Sequence, residues 1–321
     1  MVRVGVPAWV SSGFLAGFPS EVALVQIGPE PIGEIEIDFW VAPISAREAT
    51  QVFPHLRGVR VVQSLYAGVD WLQPLLPPGI TLCDGQGMHN IPTAEWVIAA
   101  ILNSLKYFSL YGALQRARDW RGRNKAEEHY RAIHRTTQIN FPPVLQEELY
   151  GKRVMIIGYG SIGRSIEARL LPFGAEIIRV ARTSRSGVEP VERLLDLLPE
   201  ADIVVLIVPQ TPETTGMIGA REFARMKQGA LLVNAARGPV VDTAALLAAL
   251  EKGWIRAALD VTDPEPLPAD HPLWSVPNVF ITPHVAASSP MLLPRAMAFA
   301  ATQVARYLTG EPLQNVVTGS Y

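Results

Sequence analysis

IIGYGSIGRSIEARLLPFGAEIIRVARTSR, Ile156 to Arg185, is the stretch on which the fold turns. An apolar strand runs into Gly158, Gly160 and Gly163, a helical segment follows, and a second strand, AEIIRVA, closes the unit. In this setting each glycine has a physical task. The first permits a tight turn, the second lets the backbone approach a pyrophosphate, and the third lets helix and strand pack closely. The helix amino terminus, from Ser161 and Ile162, adds N–H groups that favour an anion. The stretch reads as a dinucleotide-binding βαβ unit.

Its far end is unusual. About 20 residues beyond the motif an acidic residue is expected to hold the ribose, yet Ala181 stands there, followed by Arg182, Thr183, Ser184 and Arg185. Losing a carboxylate and gaining cations makes an anion site suited to a 2'-phosphate. NADPH is therefore the expected cofactor, with NAD possible.

Working outward, the alternation of strand and helix continues on both sides. Downstream lie DIVVLIV, ALLVNAA, RAALDV and NVFITPH, separated by the helical runs VERLLDLLPE, GAREFARMK and DTAALLAALEKG. These strand runs are continuously apolar, as expected of strands buried on both faces of a doubly wound parallel sheet. Upstream, VRVGVPA, EVALVQIG, IDFWVAP, VRVVQSL and ITLCDG are short, β-branched and bounded by Pro or Gly, which predicts a smaller α/β domain. The run NIPTAEWVIAAILNSLKYFSLYGALQRARDW keeps an apolar helical face and predicts one long helix passing between the two domains. The charged stretch 120–149 reads as a solvated connection before an extra arm for dimer contact or a lid over the cleft, between which the sequence does not decide, and the amphipathic helix from about Pro290 to Leu308 is expected to return to the first domain.

Composition narrows the function. The chain has 321 residues, 49% of them hydrophobic, enough for two domains. A formal net charge of −2 gives no general attraction to nucleic acid or to an anionic membrane, so neither is an expected partner. The single cysteine, Cys83, cannot form an internal disulfide. The amino terminus lacks an unbroken apolar run and no segment reaches the roughly 18 apolar residues of a membrane span, so a soluble cytoplasmic protein is expected.

Seven segments in order carry a resemblance: SLYAGVD (64–70), PTAEW (92–96), IIGYGSIGR (156–164), VPQTPETTGMI (208–218), LLVNAARGPVVD (231–242), ALDVTDPEPLP (258–268) and ITPHVAA (281–287). Each is weak alone; together they resemble the D-isomer-specific 2-hydroxyacid dehydrogenase family, closest in pattern to its NADP-dependent glyoxylate/hydroxypyruvate reductases. The resemblance implies an α/β protein of two domains: a Rossmann-type doubly wound parallel sheet (96–289, dinucleotide-binding) inserted in a smaller flavodoxin-like substrate domain (1–95 and 290–321). It also implies an active site in the cleft between them, and a homodimer.

The implied reaction is hydride transfer from NADPH to a small 2-keto acid, giving a D-2-hydroxy acid. Such a reduction needs a cation to hold and polarise the substrate, a proton donor for the nascent alkoxide, and a group that keeps the donor charged. By resemblance these are Arg237, His284 and Glu265. A guanidinium can fork onto carboxylate and carbonyl oxygens, and imidazole exchanges a proton near neutrality. A carboxylate beside it favours the imidazolium form. In SLYAGVD, backbone N–H groups around Ala67 and Gly68 can face a carboxylate, flanked by Leu65 and Tyr66.

Further dinucleotide contacts implied are Thr93, Val208, Pro209, Thr215, Ala235, Asp260, His284 and Ala286. His55, His89, His129, His134 and His271 read as structural or exposed, and no pair has metal-ligand spacing. A non-catalytic dinucleotide-sensing corepressor on the same scaffold is the alternative, disfavoured by retention of all three catalytic residue types. The end of the chain soon after the last helix argues against a phosphoglycerate dehydrogenase with a regulatory domain.

Overall fold

Continuous apolar runs become strands where both faces of a sheet are covered, and the chain uses this pattern twice. The computed structural model describes residues 1–318. They divide into two units, Met1–Asn90 with the segment from Ser288 onward, and Ile91–Ala287.

The first unit holds β1 (Val2–Pro7), β2 (Val22–Ile27), β3 (Ile35–Glu36), β4 (Phe39–Val41), β5 (Leu56–Arg57), β6 (Val61–Gln63) and β7 (Thr81–Cys83). Five of these pair in parallel in the order β2-β1-β4-β6-β7, and β3 pairs separately with β5. Numbered within the sheet this is second, first, third, fourth, fifth, the flavodoxin-like order. Val4, Val6, Phe39 and Val41 pack on one face with Ala296, Met297, Ala300 and Val304 of the helix Leu292–Thr309. Trp40, Val62 and Leu82 pack on the other with Ala49 and Val52 of the helix Ala46–Val52. Each such large side chain, fully buried, contributes about 1.5–3 kcal/mol.

The second unit holds β8 (Arg153–Ile157), β9 (Glu176–Ala181), β10 (Glu189–Pro190), β11 (Ile203–Leu206), β12 (Leu231–Asn234), β13 (Arg256–Leu259) and β14 (Val279–Ile281). Their order is β10-β9-β8-β11-β12-β13-β14, all parallel, which is the Rossmann order with one strand added. Successive residues alternate between two cores. Met155, Ile157, Val204 and Leu206 lie in one, and Val154, Ile156, Ile203 and Val205 in the other. Because every strand runs the same way, all the carboxyl ends lie along one edge. The strand order reverses between β8 and β11 at that edge, where ligands of such sheets bind.

Two expectations need correction. The long apolar run forms two helices, Asn90–Leu105 and Phe108–Arg116, bent by 66°. Tyr107 stops the first with φ 53, in the left-handed region; its ring is buried and its hydroxyl donates to Glu147 at 3.0 Å. No single helix among the described residues is long and apolar enough to cross a membrane.

The stretch 120–149 is not a freely solvated connection. It contains the helix Lys125–His134 and ends in a buried carboxylate, that of Glu147. Arg256, itself buried, donates to its Oε1 at 2.9 Å, and Lys152 donates to Oε2 at 3.2 Å with His134 Nε2 3.3 Å away. Burial alone would raise the Glu147 carboxyl. The His134 hydrogen bond and the Arg256 and Lys152 charges outweigh it and hold the group well below the usual carboxylate range.

Candidate active site

The turn after β8 shows what each glycine does. Gly158 has φ 101, and a Cβ there would lie 2.6 Å from the Ile207 carbonyl oxygen. One on Gly163 would lie 2.8 Å from the Gly158 oxygen, whereas one on Gly160 meets nothing within 4 Å. Packing demands the first and third glycines; the second faces open space at the amino terminus of the ten-residue helix Ser161–Leu170. Ser161 and Ile162 begin that helix, whose first N–H groups have no intrahelical partner. The loop therefore fits a dinucleotide pyrophosphate.

β9 ends at Ala181 with no carboxylate, and Arg182, Thr183, Ser184 and Arg185 are all exposed beyond it. Arg185 turns back and donates to the Tyr159 carbonyl of the glycine loop. Glu213, held below its usual range chiefly by a Thr211 hydrogen bond, also feels the charge of Arg182.

Val208 and Pro209 follow β11, and Thr215 donates to the Thr211 carbonyl at 2.9 Å on the same connection. Ala235 follows β12, Asp260 follows β13, and His284 and Ala286 follow β14. All these lie beyond the carboxyl ends of parallel strands. Thr93, by contrast, is buried on the helix Asn90–Leu105.

Arg237 stands on the short turn after β12. The buried side chain of Asn234 shapes that turn, accepting from the Ala236 N–H at 3.0 Å and donating to the Arg237 carbonyl at 3.1 Å. A Cβ on Gly238 would fall 1.9 Å from the Thr262 oxygen, so the arginine turn lies backbone to backbone against the loop that carries Glu265.

On that loop, Glu265 Oε1 is 2.5 Å from His284 Nδ1. His284 has φ 54, a left-handed conformation that needs support. Asp260 supplies it. Its carbonyl accepts from the His284 N–H at 2.7 Å, and its buried carboxylate accepts from Thr282 Oγ1 (2.6 Å), Val285 N (2.9 Å) and Ala286 N (2.8 Å). With Nδ1 facing Glu265, the imidazole has Nε2 to offer a substrate. Among the described residues, no His, Cys, Asp and Glu cluster is arranged to hold a metal ion.

In the first unit, the turn after β6 is fixed through its carbonyls. Leu65 O lies 3.1 Å from His89 Nε2, Tyr66 O accepts from Gly85 N at 2.8 Å, and Gly68 O accepts from the Trp71 indole at 3.1 Å. Leu65 is 2% exposed and packs in the core of the first unit. Tyr66 stacks on His89 with ring centroids 5.3 Å apart.

Two contributions were missed in the sequence, the role of Asn234 and the anchoring that Asp260 provides. Asn234 had a visible signal, an amide ending the apolar strand LLVN, where a buried polar group must be hydrogen-bonded. The anchoring of the 282–286 backbone by Asp260 had none, because its partners lie on another strand's loop.

Residues 98–286 match the model of the D-isomer specific 2-hydroxyacid dehydrogenase, NAD binding domain. A glyoxylate reductase of Thermococcus gammatolerans is 33% identical over 281 residues, 84% of this chain and 78% of the relative. An NADPH-dependent glyoxylate/hydroxypyruvate reductase of Sinorhizobium meliloti, solved in complex with NADP and sulfate, superposes with a TM-score of 0.80 at 28% identity, covering 99% of this chain and 98% of that one. A D-isomer specific 2-hydroxyacid dehydrogenase from Xanthobacter autotrophicus, in complex with NADPH and MES, gives 0.77 at 27% identity over 99% and 98%. With the two parallel sheets and the histidine–glutamate pair already described, these matches identify the chain as an NAD(P)-dependent enzyme of the D-isomer-specific 2-hydroxyacid dehydrogenase family.

Proposed function

We propose that this enzyme uses NADPH to reduce a small 2-keto acid of the glyoxylate or hydroxypyruvate class to the D-2-hydroxy acid. The observation that carries the reaction type is the 2.5 Å approach of Glu265 to His284 Nδ1. The nicotinamide cofactor, when bound, supplies the hydride. Arg237 holds the substrate carboxylate and polarises the carbonyl oxygen through its planar fork. His284 delivers a proton from Nε2 to that oxygen as it becomes an alkoxide, and the Glu265 carboxylate stabilises the imidazolium until transfer. In the first unit, the turn holding Ala67 and Gly68 is assigned to carboxylate binding through its backbone N–H groups.

The cofactor assignment rests on the end of β9, where Ala181 stands in place of a carboxylate and Arg182 and Arg185 follow. The NADP complex of the similar reductase and the NADPH complex of the similar dehydrogenase support it. We also take the enzyme as a homodimer. Trp120 is 85% exposed and lines an open surface pocket with Tyr111, Leu114 and Leu145, rimmed by Gln115, Arg118, Asp119 and Arg123, the kind of surface a second copy can cover.

Steady-state rates on a panel of 2-keto acids with each cofactor test this reading. A charge-assisted contact to phosphate contributes about 1.5–3 kcal/mol. Arg182→Ala is therefore expected to weaken NADPH about ten-fold or more and leave NADH nearly unchanged. Ala181→Asp reverses the preference, since the new carboxylate accepts from a free 2'-hydroxyl and repels a phosphate. A parent that favours NADH, or variants that weaken both cofactors equally, overturns the NADPH assignment.

A further inference from the structure

Tyr159, between the first two glycines of the loop, is held from several sides. Its hydroxyl donates to Glu167 on the helix Ser161–Leu170. Arg179 on β9 grips the same carboxylate with two nitrogens, its Nε at 2.9 Å, and lies over the Tyr159 ring, 5.6 Å from the centroid. Arg185 lies over that ring as well, at 5.9 Å, and donates to the Tyr159 carbonyl.

The two arginines are differently employed. Arg179 shares its charge with Glu167, which is buried yet held below the usual carboxylate range by the Arg179 hydrogen bonds first and the Tyr159 hydroxyl after them, against burial. That arrangement fixes the ring. Arg185 rests on it from the loop that follows Ala181, where the cofactor's ribose end is assigned. A long side chain already resting on a surface loses less freedom when a ligand captures it, and the ring face itself attracts a guanidinium.

We propose that Tyr159 is a positioning residue for cofactor choice: its ring, clamped by Glu167 and Arg179, is the platform that presents Arg185 to the 2'-phosphate. This rests on the NADPH reading above. It places part of the phosphate preference inside the glycine motif.

The test is calorimetric binding of 2'-phospho-ADP and of ADP to the whole enzyme, with KM and kcat for NADPH and NADH alongside. Tyr159→Leu removes the ring but keeps the carbonyl. It is expected to weaken 2'-phospho-ADP about five-fold while ADP stays within about two-fold, and to raise the KM for NADPH without lowering kcat. Tyr159→Phe keeps the ring and retains most of the preference. If Tyr159→Leu does not fold, Arg185→Lys decides, because lysine keeps the charge but loses the planar group that rests on the ring; it too is expected to lose about five-fold, by the same stacking contribution.

A parent without preference for 2'-phospho-ADP overturns the cofactor reading, and this proposal with it. A parent with the preference whose Tyr159→Leu variant keeps all of it, or weakens both nucleotides equally, overturns the role of Tyr159 alone. Full retention in Arg185→Lys does the same.

Discussion

His284→Asn leaves a folded protein that reduces 2-keto acids about 10²–10⁴-fold more slowly, the range that one positioned general acid supplies. Asparagine is the informative replacement because the backbone at 284 has φ 54. Asn and His both tolerate this left-handed conformation better than most residues. The turn is also held from outside, since the Asp260 carboxylate still accepts from Thr282, Val285 and Ala286. The variant therefore changes the chemistry at the side chain and little else. What it removes is the imidazole proposed as the proton donor, and with it the ring nitrogen that faces Glu265. The measurement is kcat with glyoxylate at saturating cofactor, beside a thermal melt and a cofactor titration, both of which should match the parent. A rate near the parent's would take His284 out of the mechanism.

The second large effect lies far from the chemistry in sequence. Glu147→Gln is expected to destabilise the second unit by about 3–5 kcal/mol, because the Arg256 guanidinium is left buried without its carboxylate. Arg256 and Glu147 are 4% and 7% exposed, so water cannot substitute for the missing charge. The sign of the pH dependence follows from the depressed Glu147 carboxyl. A group whose folded value lies below its unfolded value, about 4.3 for Glu, contributes fully above the unfolded value and loses that contribution as pH falls. The stability gap between parent and variant should thus be wide at pH 7 and close progressively below about pH 4. Denaturant melts at several pH values measure it. A gap that is absent at pH 7, or that does not narrow in acid, would show that the buried pair is not what anchors the 120–149 connection.

How much of this could be read from the chain depends on which kind of force placed each residue. The parallel sheet was legible because strands covered on both faces are built from unbroken apolar runs, as β11 is throughout and β12 is up to Asn234. The glycine loop was legible because Gly158 and Gly163 sit where any side chain would strike backbone. Arg237, Glu265 and His284 stood out through motifs, and the structure places Glu265 against His284 and Gly238, next to Arg237, against the Glu265 loop.

What could not be read are contacts between side chains distant along the chain. The helix break at Tyr107 depends on Glu147, forty residues on. The anchoring of 120–149 depends on Arg256, at the start of β13, which looks in the sequence like a lone basic residue on an apolar strand. Periodicity carries no information about such partners. The turning of Arg185 onto Tyr159 is of the same kind: the basic loop suggested a phosphate site but not the ring beneath one of its cations.

Gly238 and Gly160 look alike in a sequence but would separate under mutational selection. At Gly238 even alanine puts a carbon 1.9 Å from the Thr262 oxygen, so a saturated library sorted for soluble expression alone should already return glycine there. Gly160 has nothing within 4 Å of a prospective Cβ, so small replacements should survive the same sort. They should vanish only when survivors are sorted again for growth that depends on catalysis, when a pyrophosphate must approach that backbone. One glycine is written into the protein by its own carbonyls and the other by its cofactor, and the two rounds of enrichment would tell an engineer which of them is free to move once the ligand is changed.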